Sequence, residues 1–223
     1  MVGVAESRVI EAPSARRFYP GAGKRMLDLG LTTLLALIWV PLYLLIALAL
    51  LISQGRPIHY RSARPGRDLE PFTMFKFRTM RPGSDDELDE ILRADENLQA
   101  EYMISGKLRS DPRVTPFGTF LRKTSLDELP QLLNVLRGDM SLVGPRSPAT
   151  YKELHEFYGN DALTVFQTSP GLTGPWQVSG RAALPYTTRI QLDLDYRDQC
   201  GLKTDLVFVI RTIPAVLRGD GAF

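Results

Sequence analysis

Between Leu27 and Ile52 the sequence runs for 26 residues with Asp28 as its only charge. At about 1.5 Å per helical residue, that is enough to cross a hydrocarbon layer of roughly 30 Å. The rest of the chain must be arranged around a membrane-seeking helix. Two features set this segment apart from an ordinary span. Pro41 lies near its middle, where it lacks the N–H that the helix ladder requires and tends to bend the segment. Both flanks are basic: Arg16, Arg17, Lys24 and Arg25 precede it, and Arg56, Arg61, Arg64 and Arg67 follow with only Asp68 in offset. Positive flanks mark the cytoplasmic side of a membrane. A straight span would put one flank on the wrong side, whereas a helix that bends at Pro41 and returns puts both on one face. The expectation is a re-entrant helix over residues 24–56, anchored by Lys24, Arg25 and Asp28. A straight span is the alternative, and a soluble core helix is disfavoured by the length.

At 223 residues and 44% hydrophobic content, what remains is one domain, taken as residues 57–223. Residues 1–23, with Pro13, Pro20, Gly21 and Gly23 and no apolar periodicity, are expected to form a flexible or partly ordered leader. No small-residue cleavage site follows the apolar run. The formal charge of +2 excludes nucleic acid as the main partner, because phosphate-backbone binding needs several neutralising cations on one surface. With one cysteine, Cys200, and two distant histidines, His59 and His155, no thiolate or imidazole metal centre is expected. A metal would be held by carboxylate and phosphate oxygens, which favours magnesium, with manganese as the alternative. Gly21-Ala22-Gly23-Lys24 fails as a phosphate-binding loop, since Phe18 stands where the first glycine belongs and Arg25 where Ser or Thr should be.

The expected fold is α+β and mostly helical, a small cytoplasmic catalytic module carrying interfacial amphipathic helices. Phe72 to Met80 alternates as a strand and would project Lys76 and Arg78 from one side, two cations suited to phosphate or to a membrane surface. Ser84, Asp85, Asp86 and Glu87 form a capping box opening an acidic helix to about Ile104. Thr115-Pro116 starts a short helix through Arg122 and Lys123. In Ser125-Leu126-Asp127-Glu128-Leu129-Pro130 two adjacent carboxylates lie at a helix start. Ser125 and Glu128 have capping-box spacing, and placing the start at Asp127 puts Pro130 within the first turn. Gly138 ends that helix, and a short strand, Met140 to Val143, delivers Arg146 from a Gly144-Pro145 turn, where a guanidinium can grip phosphate with two N–H groups. The Gly- and Pro-rich loop from Ser169 to Arg181, with Trp176, Gln177 and Arg181, could hold a nucleotide or pack as an ordinary turn. Residues 204–218, with Pro214 at their centre, are expected to form helical pieces on a membrane interface or against the anchor.

From Lys24 to the C-terminus these residues resemble the monotopic phosphoglycosyl transferases, the bacterial sugar transferase family. The resemblance rests on Lys76-Phe77-Arg78-Thr79-Met80, on Arg122 to Gln131, on Gly138 to Arg146, and on the Trp176 to Arg181 loop. Four motifs in order make a chance match very improbable. The resemblance implies a protein of the bacterial inner membrane with its catalytic module on the cytoplasmic face. It implies transfer of hexose-1-phosphate from a UDP-hexose to polyprenyl phosphate, releasing UMP and initiating exopolysaccharide, capsule or glycoconjugate synthesis. Asp127 aligns with the family nucleophile, which forms a covalent phosphosugar intermediate, and Glu128 would deprotonate or orient the acceptor. Asp127 would hold magnesium together with the diphosphate, and Arg122 and Arg146 match phosphate-binding positions, with Lys76 and Arg78 as further candidates. Gln177 and Arg181 fall in the nucleotide-sugar loop. Membrane lipids, a homodimer partner and downstream glycosyl transferases are the other partners it admits. Two positions depart from the pattern: Val40, not serine, precedes Pro41, and Ser147 separates Arg146 from Pro148. The tail from Arg218 to Phe223 looks like those of exopolysaccharide-initiating relatives that use glucose or galactose. Two other readings compete. A non-enzymatic membrane-anchored scaffold would tolerate Asp127→Asn, and a glycosyl transferase releasing UDP would need βα units that the sequence lacks.

Overall fold

The computed structural model describes residues 19–84, 86–105, 108, 110–180 and 184–218. Arg16, Arg17 and the rest of the leader to residue 18, Asp85 of the expected capping box, Arg181, and the tail 219–223 lie outside the described residues. A π-helical turn, Tyr19–Gly23, leads into α1 (Lys24–Leu34) and α2 (Ala36–Gln54), followed by β1 (His59–Pro65) and β2 (Pro71–Phe77). Next come α3 (Leu88–Ala94), α4 (Glu96–Ser105), α5 (Pro116–Lys123), a 3₁₀ turn at Leu126–Glu128 and α6 (Gln131–Arg137). The chain continues through β3 (Ser141–Val143), α7 (Tyr151–Glu153), α8 (Ala162–Val165) and β4 (Gly171–Thr173). It finishes with α9 (Pro175–Ser179), α10 (Tyr186–Gln199) and α11 (Leu202–Arg218). The fold is mostly helical with two small sheets, antiparallel β1–β2 and parallel β3–β4.

The apolar segment is helical, but it is interrupted at Leu35 rather than at the expected Pro41, and α2 runs on through the proline. At Leu35 the backbone turns to ψ −1°, and the carbonyl of Thr32 accepts instead from the Trp39 indole N–H at 2.9 Å. A side-chain donor thus replaces a ladder bond, which lets the helix break without an orphaned carbonyl. Along α2, Leu42, Tyr43, Ile46, Ala47 and Leu50 form one stripe on Phe77, Phe117, Leu121, Leu126 and Leu129. The opposite side exposes Leu37, Ile38, Leu44, Leu45, Leu48 and Ile52. An apolar face of that extent is what lipid, not water, would cover.

Both ends of this helical segment are tied to the same body. At its start Lys24 donates to Asp205 (2.6 Å) and Tyr196 (2.9 Å). Arg25 donates to the carbonyls of Val135 and Leu136, at the C-terminal end of α6, where a cation suits the helix dipole. Asp28 accepts from Ser141 Oγ (3.0 Å) and from the Leu142 N–H (2.9 Å), the base of β3. At its end, Gln54 Nε2 donates to Thr115 Oγ1 (3.0 Å), and Arg78 Nη2 donates to the carbonyls of Gln54 (2.7 Å) and Gly55 (3.0 Å).

Several local expectations hold. Thr115 Oγ1 accepts from the Gly118 N–H at 3.0 Å and caps α5, with Pro116 in its first turn. Gly138, at φ 95°, ends α6 in a left-handed conformation that favours glycine. Others are revised. The acidic helix is two helices, because Asp95 is extended and its Oδ1 caps a second start by accepting from the N–H groups of Asn97 and Leu98. Glu87, not Ser84, precedes α3, and it makes no side-chain cap. The Gly-rich loop contributes strand β4, unforeseen because its three residues carry no alternation. α11 is one helix rather than pieces, running through Pro214.

Candidate active site

The adjacent acids do not open a helix. Ser125 sits at φ 57°, a left-handed conformation costly for a residue with a Cβ, and Leu126–Glu128 follow as a single 3₁₀ turn before α6 begins at Gln131. The expected capping box is absent, because the Glu128 carboxylate is drawn elsewhere. Lys76, near the end of β2, reaches Glu128 Oε1 at 2.7 Å and Asp127 Oδ2 at 3.3 Å. Arg146 grips Glu128 with two N–H groups, Nη2 to Oε1 at 2.7 Å and Nη1 to Oε2 at 3.4 Å.

Each of these side chains is held by packing across the chain. β2 is fixed on one side by its register with β1 and on the other by Asn134 of α6, which accepts from the Phe75 N–H and donates to the Thr73 carbonyl. Leu126 and Leu129, flanking the acids, are partly buried and packed against α2. Arg146 follows Gly144-Pro145, and a Cβ at Gly144 would lie 2.4 Å from the Ser169 carbonyl oxygen. Only glycine admits that approach, so the Gly-rich loop is packed directly onto the turn that aims Arg146. The inserted Ser147 is buried and donates to the Pro65 carbonyl at 2.7 Å, tying the same turn to the end of β1.

The two carboxylates differ sharply. Asp127 is 8% exposed. Its burial pushes the carboxyl above its ordinary range and the Glu128 charge adds to this, while Lys76 and Arg122 pull it down. Glu128 also suffers burial, but Arg146 and Lys76 outweigh it and hold the group far below the usual carboxylate range. Glu128 is engaged by both Lys76 and Arg146. Asp127 has an oxygen, Oδ1, to which no hydrogen-bond donor among the described residues is directed.

A broad cleft of about 2700 Å³ is lined by Lys76, Arg78, Arg122, Asp127, Glu128, Arg146, Trp176 and Gln177. Of the expected phosphate ligands, Lys76 and Arg146 meet the acids. Arg122 donates Nε to Thr79 Oγ1 (3.0 Å) and contributes its charge near Asp127. Arg78 lies past the end of β2 and is turned to the C-terminal carbonyls of α2, so it does not share the side of the strand that Lys76 uses. Arg64 was not anticipated as a site residue. It lines the cleft and, mostly buried beside Arg146, has its guanidinium pKa lowered by burial and by that neighbour. The Pro65-Gly66 turn between two alternating runs was the signal that could have paired β1 with β2 and brought Arg64 to the Lys76 face.

Trp176 and Gln177 also face the cleft. Gln177 Nε2 donates to the Leu172 carbonyl at 3.0 Å, and among the described residues its buried Oε1 and the buried Nε1 of Trp176 meet no hydrogen-bond partner. Arg189 stacks over the rings of Trp176 (4.9 Å) and Tyr186 (4.5 Å), and Tyr186 lies against Phe157 at 3.6 Å between centroids. This aromatic wall was not anticipated, because its members come from three separate stretches of chain.

Among the described residues no group of three His, Cys, Asp or Glu gathers to hold an ion. One open carboxylate oxygen in a cleft lined by Lys76, Arg122 and Arg146 would suit magnesium, which commonly takes one or two protein carboxylates and completes its shell with water and substrate phosphates.

Comparison with known proteins places these features in context. The profile of the bacterial sugar transferase family matches residues 19–219. The exopolysaccharide production protein ExoY of Rhizobium meliloti (strain 1021) is 42% identical over 213 residues, 96% of this chain and 93% of that protein. The UDP-glucose:undecaprenyl-phosphate glucose-1-phosphate transferase of Caulobacter vibrioides is 40% identical over 209 residues, 90% of this chain and 72% of its own length. The undecaprenyl-phosphate galactose phosphotransferase of Salmonella typhimurium is 42% identical over 200 residues, 90% of this chain but 41% of that longer protein.

Proposed function

The chain belongs to the bacterial sugar transferase family, and from that membership we propose that it transfers hexose-1-phosphate from a UDP-hexose to polyprenyl phosphate, initiating exopolysaccharide or a related glycan. It is a phosphoglycosyl transferase working at the cytoplasmic face of the bacterial inner membrane. The observation that carries this reading is one open, buried carboxylate, Asp127, paired with Lys76 and set beside the Glu128–Arg146 pair on a body fastened to an apolar helix.

In the first step a carboxylate oxygen of Asp127 attacks the sugar-bearing phosphorus of the UDP-hexose. The bond to the uridylyl oxygen breaks, UMP leaves with the electron pair, and a phosphosugar remains on Asp127. In the second step an oxygen of polyprenyl phosphate attacks that phosphorus and the carboxylate departs, giving polyprenyl-diphosphate-hexose. An acyl phosphate is reactive enough for this relay. Both steps bring anion to anion, so fixed cations that stabilise the charge gathered around phosphorus are the main catalytic requirement. Arg146, Lys76, Arg64 and Arg122 supply them. Glu128 holds Arg146 and Lys76 in place through direct ion pairs, which suits it to orienting the phosphate-binding cations and the acceptor. Magnesium, or manganese, held by Asp127 and the diphosphate, would neutralise further charge. Trp176 and Gln177 line the cleft where the nucleotide sugar would lie, with Arg181 as a further candidate in that loop.

The re-entrant topology belongs to the same proposal. The start of α1 and the end of α2 are both fastened to the catalytic body, which supports their lying on one side of the membrane. Leu202, Leu206, Ile210 and Ile213 expose an apolar stripe along α11 that suits an interfacial helix.

Nanodisc-embedded protein incubated with magnesium and a panel of UDP-hexoses, without acceptor, tests the reading by intact mass. Gain of one hexose phosphate with release of UMP, absent in Asp127→Asn, is the expected result. UMP released only when polyprenyl phosphate is present would remove the covalent step but keep the transfer. No UMP under either condition would favour a membrane-anchored scaffold.

A further inference from the structure

Glu153 lines the catalytic cleft, and the two steps written above give it no part. Other acids of the cleft are taken up by cations: Glu128 by Lys76 and Arg146, Asp111 by Arg113, and Glu156 by Lys152. Glu153 has no cation within ion-pair distance among the described residues. Its carboxylate accepts two hydrogen bonds instead, at Oε2 from the Ala149 N–H (2.6 Å) and at Oε1 from the Tyr186 hydroxyl (3.2 Å). The first belongs to a reach-back cap at the start of α7, where Thr150 Oγ1 accepts in turn from the Glu153 N–H at 3.0 Å. The second is no part of a cap, since Tyr186 comes from α10, 33 positions on. Tyr186 is itself held, stacked on Phe157 at 3.6 Å with 4° between the planes and with the Arg189 guanidinium 4.5 Å from its centroid. The aromatic wall thus fixes the direction of one carboxylate.

We propose that Glu153 is a specificity residue, which accepts a hydrogen bond from a hydroxyl of the donor hexose while Tyr186 holds its carboxylate in place. The assignment rests on the transferase reading above and names a group that reads its sugar. A carboxylate oxygen accepts about two hydrogen bonds, so each oxygen of Glu153 has capacity for one more, and the side chain is only half-buried. The charge of Glu153 acts on both Arg64 and Arg146, which sets it beside the phosphate end of the cleft. An anion there repels phosphate and receives only donors, and in a UDP-hexose the donors are chiefly the sugar hydroxyls. Of its two rings, the hexose is joined to the attacked phosphorus through a single oxygen, whereas the second phosphate separates the ribose from it. The ring that comes to lie beside Arg146 is therefore the hexose.

The deciding experiment crosses enzyme variants with substrate variants. Nanodisc-embedded wild type, Glu153→Gln and Glu153→Leu are each given magnesium and the UDP-hexose that the wild type uses. The same proteins receive its deoxy analogues at each hexose hydroxyl and the form carrying deoxyribose. The rate is read as mass adduct formed or, where no adduct accumulates, as UMP released in the presence of polyprenyl phosphate. Wild type should penalise one hexose deoxy analogue by at least about tenfold, the size of a hydrogen bond to a charged group. In Glu153→Leu that penalty should shrink to within about twofold while the penalties for the other analogues stay. Glu153→Gln keeps an acceptor for the Ala149 N–H and so preserves the cap if the leucine variant does not fold; its penalty should be intermediate. Collapse of the deoxyribose penalty alone would move Glu153 to the nucleoside and overturn the hexose assignment. Equal slowing on every donor with all penalties intact, or a wild type indifferent to every deoxy analogue, would leave Glu153 a helix cap and overturn the proposal. A wild type that forms no adduct and releases no UMP would instead sink the transferase reading, which separates the two failures.

Discussion

At the foot of the membrane helix, Asp205 accepts from Tyr19 and Lys24 on one oxygen and from Tyr196 on the other, and its side chain is fully buried. Near the end of β2, Asp127 and Glu128 meet Lys76 and Arg146 in a cluster that is also mostly buried. The ingredients match, but the balance differs. The first cluster is saturated, with one anion matched by one cation and two phenols and nothing left over. Tyr196 is kept protonated, its pKa pushed up by burial and by Asp205, so its donor persists at every working pH. The second is unsaturated: Lys76, Arg146, Arg64 and Arg122 lie around two acids, and no donor among the described residues is directed at Asp127 Oδ1. A closed charge network fixes position, whereas an open one with surplus cations has capacity for a further anion, which is what a phosphate substrate brings.

The widest separation between the two clusters is expected from their acids. Asp127→Asn should lower transfer by about 10³-fold or more, as loss of a nucleophile does, while thermal stability stays level or rises because a buried charge is relieved. Asp205→Asn should do the reverse. Removing one partner of a buried ion pair costs about 3–5 kcal/mol, read as a fall in the midpoint of denaturant unfolding in detergent, with KM for UDP-hexose unchanged in the folded fraction. If both variants lost activity with equal loss of stability, the contrast would collapse.

Lys76→Met sharpens the comparison through pH. Lys76 lowers the pKa of Asp127, so its loss lets burial and Glu128 raise that pKa further. Only the ionised carboxylate attacks, so the acid limb of the rate of adduct formation should move to higher pH. An unmoved limb would mean that Lys76 does not act on the nucleophile.

Asp193 supplies a third, smaller case: a buried carboxyl that, among the described residues, has no cation beside it, one oxygen bonded by Tyr158 at 3.2 Å and the other without a partner. Burial pushes it from 3.8 up to about 8. A raised folded-state pKa gives stability that is full below the unfolded value and lost as pH rises through the folded one. Wild type should therefore lose stability across pH 4 to 8 relative to Asp193→Asn, by up to about 1.4 kcal/mol per unit. Unfolding midpoints of the two proteins over that range, compared as a difference, check it; parallel curves would mean that Asp193 is already ionised.

What could be read from the sequence alone was whatever depends on neighbours a few residues apart. Thr115-Pro116 makes a helix start and Gly138 a helix stop through local backbone chemistry. The apolar run declares a long apolar helix through composition, and the ordered motifs from Lys76 to Arg146 name residues that line the candidate site. Tertiary structure decided what those residues do. It set the break at Leu35, where the Trp39 indole can replace a ladder bond, and turned Arg78 to the end of α2 instead of to the acids. It drew Glu128 out of a capping box, because Lys76, 52 positions away, and Arg146, 18 away, bind its carboxylate. A cap is a contest among near neighbours, whereas a charge cluster is settled by which distant segments packing brings within about 3 Å, the reach of a hydrogen bond. That distance is a property of the folded chain and not of any stretch of it.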